Sequence, residues 1–378
     1  MSTSSSSSSS STSLAVSIPL VEKRSITNYQ SFIYCSKQVT IFLSSRIALI
    51  IDKEAKLDDI LNQADSLYKF TLLLCMLEQL VQQFTALTGK HPSLKNSYEG
   101  RMRVEVAFLP NAAGLAHHGI AGIAIGPAFV KGMYDNIVYD AKQIEIIKQN
   151  ITYITYYNIQ TLTMDHVCTY ETMRNYIFPD EFTPVFDYSL LEDPINCWGW
   201  VNQGFVNLLG CLILPNHINF TYYGHTKEGF INMMVQHLDK YINGKKETRQ
   251  SSSSSSSSLS TSVSSYTWED VFLHERLPWD NNVSLDNIYS GLLAILYQNY
   301  GANYFIYRWF TKAIPLLLQR CPKSKQDYRT AAENFYLASC IGANQNLQDY
   351  FIQTLRWPLS KEFLQNNLVL TLLGITND

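Results

Sequence analysis

Apolar and polar residues alternate over several short stretches in the first third of the chain, whereas later apolar positions recur every three to four residues. The first pattern predicts strands and the second predicts helices. Residues 31–51 (SFIYCSKQVTIFLSSRIALII) are rich in Ile, Phe, Tyr and Val and break at Ser44-Ser45, as a β-hairpin or two short strands would. Residues 53–61 are charged and predict a short helix. Residues 65–87 (DSLYKFTLLLCMLEQLVQQFTAL) predict a long amphipathic helix, closed by a Gly89 cap with Pro92 beyond it. Residues 102–109 (MRVEVAFL) alternate as a strand. Residues 114–127 (GLAHHGIAGIAIGP) combine Gly and Ala with β-branched residues, which predicts an edge strand or hairpin closely approached by another backbone. Residues 138–148 predict a further strand or short helix. Helices are predicted at 165–178, stopped by Pro179, and at 200–214, stopped by Pro215. Others follow at 228–243, 286–300, 304–320, 328–340 and 345–355, with Asn299-Tyr300-Gly301 as a turn. The expected fold class is α+β (mixed): a small N-terminal β-sheet with an edge strand, then a helix-rich C-terminal half.

Two stretches escape this pattern. Residues 2–13 and 251–265 are nearly pure Ser and Thr, and bury too little apolar surface to offset the entropy of being ordered. The expected organisation is a disordered Ser-rich tail at 1–25, N-terminal strands and a short helix at 26–67, and a globular unit at 68–378. That unit carries a disordered Ser-rich loop at 248–266. The inner tract is expected to be a surface loop within one domain, because lengthening a loop costs little. The remaining chain is apolar enough for a large core, with 46% hydrophobic and 13% aromatic residues.

The net charge is −3 and the Lys and Arg residues are scattered, with neither a basic stripe nor a polybasic patch. Nucleic acid and membrane surfaces are therefore not expected as partners. The first residues lack the cationic and apolar regions of a secretory signal. The longest apolar run, 41–51, is interrupted by Ser44, Ser45 and Arg46 and is too short to span a bilayer. The seven cysteines (Cys35, Cys75, Cys168, Cys197, Cys211, Cys321 and Cys340) are odd in number, far apart and without a C-x-x-C pair. Reduced thiols and a cytoplasmic location are the expectation.

The candidate chemistry lies on two of the predicted helices. The first carries Tyr170-Glu171-Thr172-Met173-Arg174-Asn175, and the second Trp200-Val201-Asn202-Gln203-Gly204-Phe205. The first resembles H-E-x-x-H-N, and the second resembles W-x-x-E-G-[FL], of gluzincin zinc peptidases of the enhancin and mucin-degrading kind. The run from Asn334 to Ser360 resembles the tail of the same proteins, with its closing W-x-P-L-S. In order of motifs the resemblance covers about residues 68–360. It implies a zincin-like fold, with an edge strand that binds extended substrate before the motif helix. In such peptidases two His four apart on one helix face hold the metal, a Glu beside the first polarises bound water, and a later Glu completes the ligand set.

Here Glu171 and Gly204 match the pattern, but Tyr170, Arg174 and Gln203 stand at all three metal positions. Arg keeps its proton and has no lone pair to donate. A tyrosine ligates well only once deprotonated, near pH ~10, and a neutral amide is a weak zinc ligand. No metal and no cofactor are expected. In their place a polar cluster of Tyr170, Glu171, Arg174 and Gln203 is expected, with Arg174 paired to Glu171 one helical turn away. The expected function is a catalytically degenerate metallopeptidase-like binding or scaffold module for a peptide, protein or glycan ligand. One alternative is an active hydrolase using Glu171 as catalytic base, with no metal or an atypical one. Another is a purely structural interaction unit.

Other candidates have simpler readings. His117 and His118 point to opposite faces of a strand. His166, Tyr170 and His225 form at most an irregular metal site. Glu192 and Asp193 fit a helix-capping loop better than an acid–base pair with Glu171. Cys168 and His166 diverge on a helix. The clusters Tyr153/Tyr156/Tyr157 and Trp198/Trp200 fit core packing better than ligand stacking, and no phosphate-binding glycine loop is present.

Overall fold

A computed structural model describes residues 21–31, 38–89, 97–108, 114–116, 122–136, 226–247, 263–268, 285–317, 320 and 328–366. It also describes residues 204, 207–209, 211, 212, 369, 371 and 374. Its centre is a six-stranded mixed sheet in the order β1-β2-β3-β4-β6-β5. The strands are β1 (Glu22–Thr27), β2 (Gln38–Leu43), β3 (Ile47–Asp52), β4 (Met102–Val106), β5 (Gly114–Ala116) and β6 (Gly122–Ile125). β1, β2 and β3 form an antiparallel meander, β3, β4 and β6 run parallel, and β5 returns antiparallel to β6 at the end of the sheet. The α+β class expected from the pattern is the one observed, and β5 is the edge strand expected within 114–127. One sheet thus takes its strands from both sides of the boundary expected at 67/68. Order also begins earlier than expected, because β1 starts at Glu22, inside the stretch 1–25 assigned to a tail.

The hairpin expected within 31–51 is β2–β3, turning at Ser44-Ser45-Arg46. Helix α1 (Ser66–Thr88) holds that turn from a distance. Its Glu78 carboxylate accepts hydrogen bonds from Ser44 Oγ (2.6 Å), Ser45 Oγ (2.8 Å) and the Arg46 backbone N–H (2.8 Å). The turn's donors, which would otherwise look to solvent, are met by a charged acceptor. α1 ends where Gly89 adopts φ +67°, the left-handed conformation glycine tolerates best. It forms the crossover between parallel β3 and β4. A ten-residue helix, α2 (Pro127–Asn136), follows β6 and was not anticipated from the sequence.

Side chains alternate across the sheet. Ile47, Leu49 and Ile51 of β3 and Met102, Val104 and Val106 of β4 join the main core with the helices. Phe42 of β2 stacks on Phe70 of α1 at 4.2 Å between ring centroids, and Phe70 meets Tyr134 of α2 at 5.2 Å. Val39, Ile41, Leu43, Ala48 and Ile50 form a separate, smaller cluster with Tyr29 on the opposite face.

The helical half begins with α3 (Lys227–Asn243), N-capped by the Thr226 hydroxyl on the Gly229 N–H. A short antiparallel ladder follows, β7 (Lys245–Glu247) with β8 (Val263–Ser265). The Ser-rich insertion therefore leaves and re-enters at neighbouring points, as a loop within one domain should. The bounds expected for that loop, 248–266, are too wide: Val263–Ser265 pair as a strand and Tyr266 is buried. Next come α4 (Leu285–Asn299) and α5 (Asn303–Arg308), which runs through a π-helical turn at Trp309–Ala313 into Ile314–Leu317. Pro315 follows that turn. A proline ring crowds the carbonyl four residues back, and the wider turn lies at that place. α6 (Tyr328–Ala343) and α7 (Lys361–Gln365) follow, with a second π-turn at Tyr350–Thr354. Trp309, Phe335, Phe351 and Trp357 make the aromatic centre, with Phe335 5.3 Å from Trp309 and 5.2 Å from Trp357.

α3 and α4 approach most closely at Gly291, where an added β-carbon would lie 2.9 Å from the Met234 carbonyl carbon and 3.0 Å from Leu238 Cβ. The contact is with backbone, which cannot swing aside. Gly291→Ala is therefore expected to destabilise the chain by on the order of 3 kcal/mol in urea unfolding. An unchanged unfolding midpoint would contradict this helix contact.

Candidate functional site

The four residues expected to cluster, Tyr170, Glu171, Arg174 and Gln203, lie outside the described residues. So do His117, His118, Tyr153, Tyr156, Tyr157, His166, Cys168, Glu192, Asp193, Trp198, Trp200 and His225. The structure does describe the elements that flank them. β5 and β6 come just before the predicted motif helix. On the second predicted helix, Gly204, Asn207, Leu208, Leu209 and Cys211 are helical and buried. Gly204, one residue beyond Gln203, packs tightly on α4: a β-carbon there would lie 2.7 Å from Tyr289 Cβ and 3.0 Å from the Ser290 N. Asn207 Nδ2 faces Asn287 Oδ1 at 3.5 Å. The glycine of the W-x-x-Q-G motif thus serves as a helix-packing residue, which fixes its own helix against α4.

The tail that resembles the peptidases is also a packing device. Trp357 Nε1 donates to the Ala332 carbonyl (2.9 Å), and its ring lies 5.5 Å from Phe351 and 5.9 Å from Trp268. Arg356, at φ +52°, donates to three carbonyls: Tyr266 (2.7 Å), Ile242 (3.1 Å) and Tyr241 (2.9 Å). Two of these belong to the last turn of α3, where carbonyls lack helical partners and favour a cation. Ser360 caps α7 through the Phe363 N–H (3.1 Å).

Sequence reasoning missed one polar constellation. β4 turns Arg103 and Glu105 to the smaller face of the sheet, and Glu105 is fully buried at 0% exposure. Tyr29 OH donates to Glu105 Oε1 at 2.9 Å, and Ser31 Oγ donates to Oε2. Arg103 Nη1 lies 3.4 Å from Glu105 Oε1 and donates to Tyr29 OH at 3.3 Å. Both carboxylate oxygens are engaged within the chain, so the group is placed to hold structure rather than to take a proton from a substrate. The signal was present: in MRVEV, charges at alternate positions share one face, and opposite charges on a strand apolar everywhere else point to an internal pair. The hydroxyls that complete it come from 74 and 76 residues away in sequence, and no local pattern marks them.

Burial sets the acid–base character of the described thiols and phenols. The Cys75 thiol is pushed up to about 12 by burial and then by the nearby Glu78 carboxylate. Cys340 is pushed up to about 12, chiefly by burial. Neither is poised as a nucleophile at neutral pH. Tyr29 is held well above the usual phenol range, first by burial and then by the Glu105 charge, although its bond from Arg103 opposes this. Burial pushes Tyr350 up to about 12, and burial with Asp65 does the same for Tyr134. Among the described residues, no group of three His, Cys, Asp or Glu side chains is placed to hold a metal ion. The chain matches no protein-family model and no curated protein.

The raised thiols and phenols have a common consequence. The folded chain keeps protons that the unfolded chain releases above about pH 9 to 10. Their contribution to stability is fully present below that range and declines as the pH rises toward about 12. Urea midpoints measured from pH 7 to 11 are expected to fall steadily above about pH 9, and a flat profile would contradict the burial of these groups.

Proposed function

We propose that the chain is a catalytically degenerate metallopeptidase-like protein that acts as a cytoplasmic binding or scaffold module. Its ligand would be an extended peptide or protein segment added as a strand at the edge of the sheet. The observation that carries this reading is β5. It is the end strand of a sheet whose neighbouring strands run parallel, and it lies antiparallel to β6 just before the helix that bears Tyr170 and Arg174. An extended segment gains affinity from main-chain hydrogen bonds to such an edge. The two sheet edges differ in composition. β1 reads Glu-Lys-Arg-Ser-Ile-Thr, and its charges discourage a further strand, whereas Gly114-Leu115-Ala116 carries no charge and no proline.

The residues at the metal positions argue for binding over hydrolysis. A guanidinium at Arg174 sets a fixed positive charge where a divalent cation would need an electron pair. No helix among the described residues is long and apolar enough to cross a membrane, which is compatible with the proposed location.

Metal analysis of the purified chain tests the proposal. The native chain is expected to hold less than about a tenth of a zinc ion per molecule, whereas Tyr170→His/Arg174→His/Gln203→Glu together should raise this to about one. Stoichiometric zinc in the native chain, removed by chelator together with peptidase activity, would establish the hydrolase alternative. Failure of the triple variant to gain zinc, with the fold retained, would remove the kinship to zinc peptidases.

A further inference from the structure

The chain between β1 and β2 does more than connect them. β1 and β4 are separated in the sheet by β2 and β3, yet Tyr29 and Ser31 both reach Glu105 on β4. Residues 28–31 therefore cross the smaller face of the sheet. Asn28 starts the crossing at φ +62°, in the left-handed region that Asn enters more readily than most residues. The Tyr29 ring then closes over Val39, Ile41, Leu43, Ala48 and Ile50, a cluster separate from the main core. Tyr98 flanks it, 6.3 Å from Tyr29 between centroids.

We infer that residues 22–31 form a strap that opens as a unit while the rest of the fold stays closed, fastened by the Tyr29 and Ser31 hydroxyls on Glu105. Two features make this opening cheaper than global unfolding. No residue of β1 is fully buried, so lifting it exposes little new apolar surface. The second feature is electrostatic. Removing a hydroxyl from a buried carboxylate normally strands the charge. Here Arg103, on the same strand, remains beside Glu105 after the strap has left, and opening admits water to both. Regions with few buried apolar contacts are those that open locally. The inference stands independently of the metallopeptidase-like reading, because none of its residues belongs to that site.

Hydrogen exchange on the full chain, native and Tyr29→Phe, tests it. The substitution keeps the ring and removes one bond to the carboxylate. Amides of residues 22–31 are expected to exchange about tenfold faster in the variant, while those of α6 change by less than about twofold. An equal rise in both regions, or no rise at 22–31, would overturn the strap.

Discussion

A parallel strand pair at the centre of a sheet must be covered on both faces, and this constraint organises the molecule. Every residue of β3 and β4 is buried, as expected of strands enclosed on both sides. One face meets the helices and the aromatic core they share. The other receives the Tyr29 crossing and, at its centre, an Arg–Glu pair instead of apolar side chains. The pair is tolerable because each charge meets the other and two hydroxyls complete the carboxylate's bonding. Buried charges that lost these partners would be costly.

Long-range polar contacts recur as fastenings elsewhere. Glu78 of α1 gathers the donors of the β2–β3 turn, and Arg356 gathers carbonyls from α3 and from the return of the Ser-rich insertion. Arg308 does the same between α5 and α6, donating to the Gly342 carbonyl at 2.7 Å and to Tyr300 at 3.2 Å. Each joins segments that hydrophobic packing alone would bring together without fixing their register.

The elements with strong periodicity or sharp punctuation were legible in the sequence. The α1 helix with its Gly89 cap, the hairpin broken at Ser44-Ser45, the edge strand in 114–127 and the later helices all lie near their expected positions. β1 was not legible, because EKRSIT is polar and its edge position asks for little burial. The ends of the Ser-rich insertion were misjudged for a similar reason: Val263-Ser264-Ser265 looks like its neighbours until it pairs with Lys245–Glu247. α2 was hidden because Pro127, which fits a helix's first turn, followed a Gly-rich strand. The Glu105 constellation was half legible, in the alternation of MRVEV, and half invisible, in two hydroxyls far along the chain. The expected site at Tyr170, Glu171, Arg174 and Gln203 rests on motif resemblance, and only its neighbour Gly204 is placed by the structure, hard against α4.

The central claim is that a guanidinium and an amide have replaced a metal site and now meet each other. A double-mutant cycle with Arg174→Met and Gln203→Leu, read by urea unfolding, measures that meeting directly. Direct contact predicts a coupling of about 1 kcal/mol or more between the two substitutions. Strict additivity, with a coupling within about 0.3 kcal/mol of zero, would mean that the two side chains do not meet and that no vacated metal site joins them.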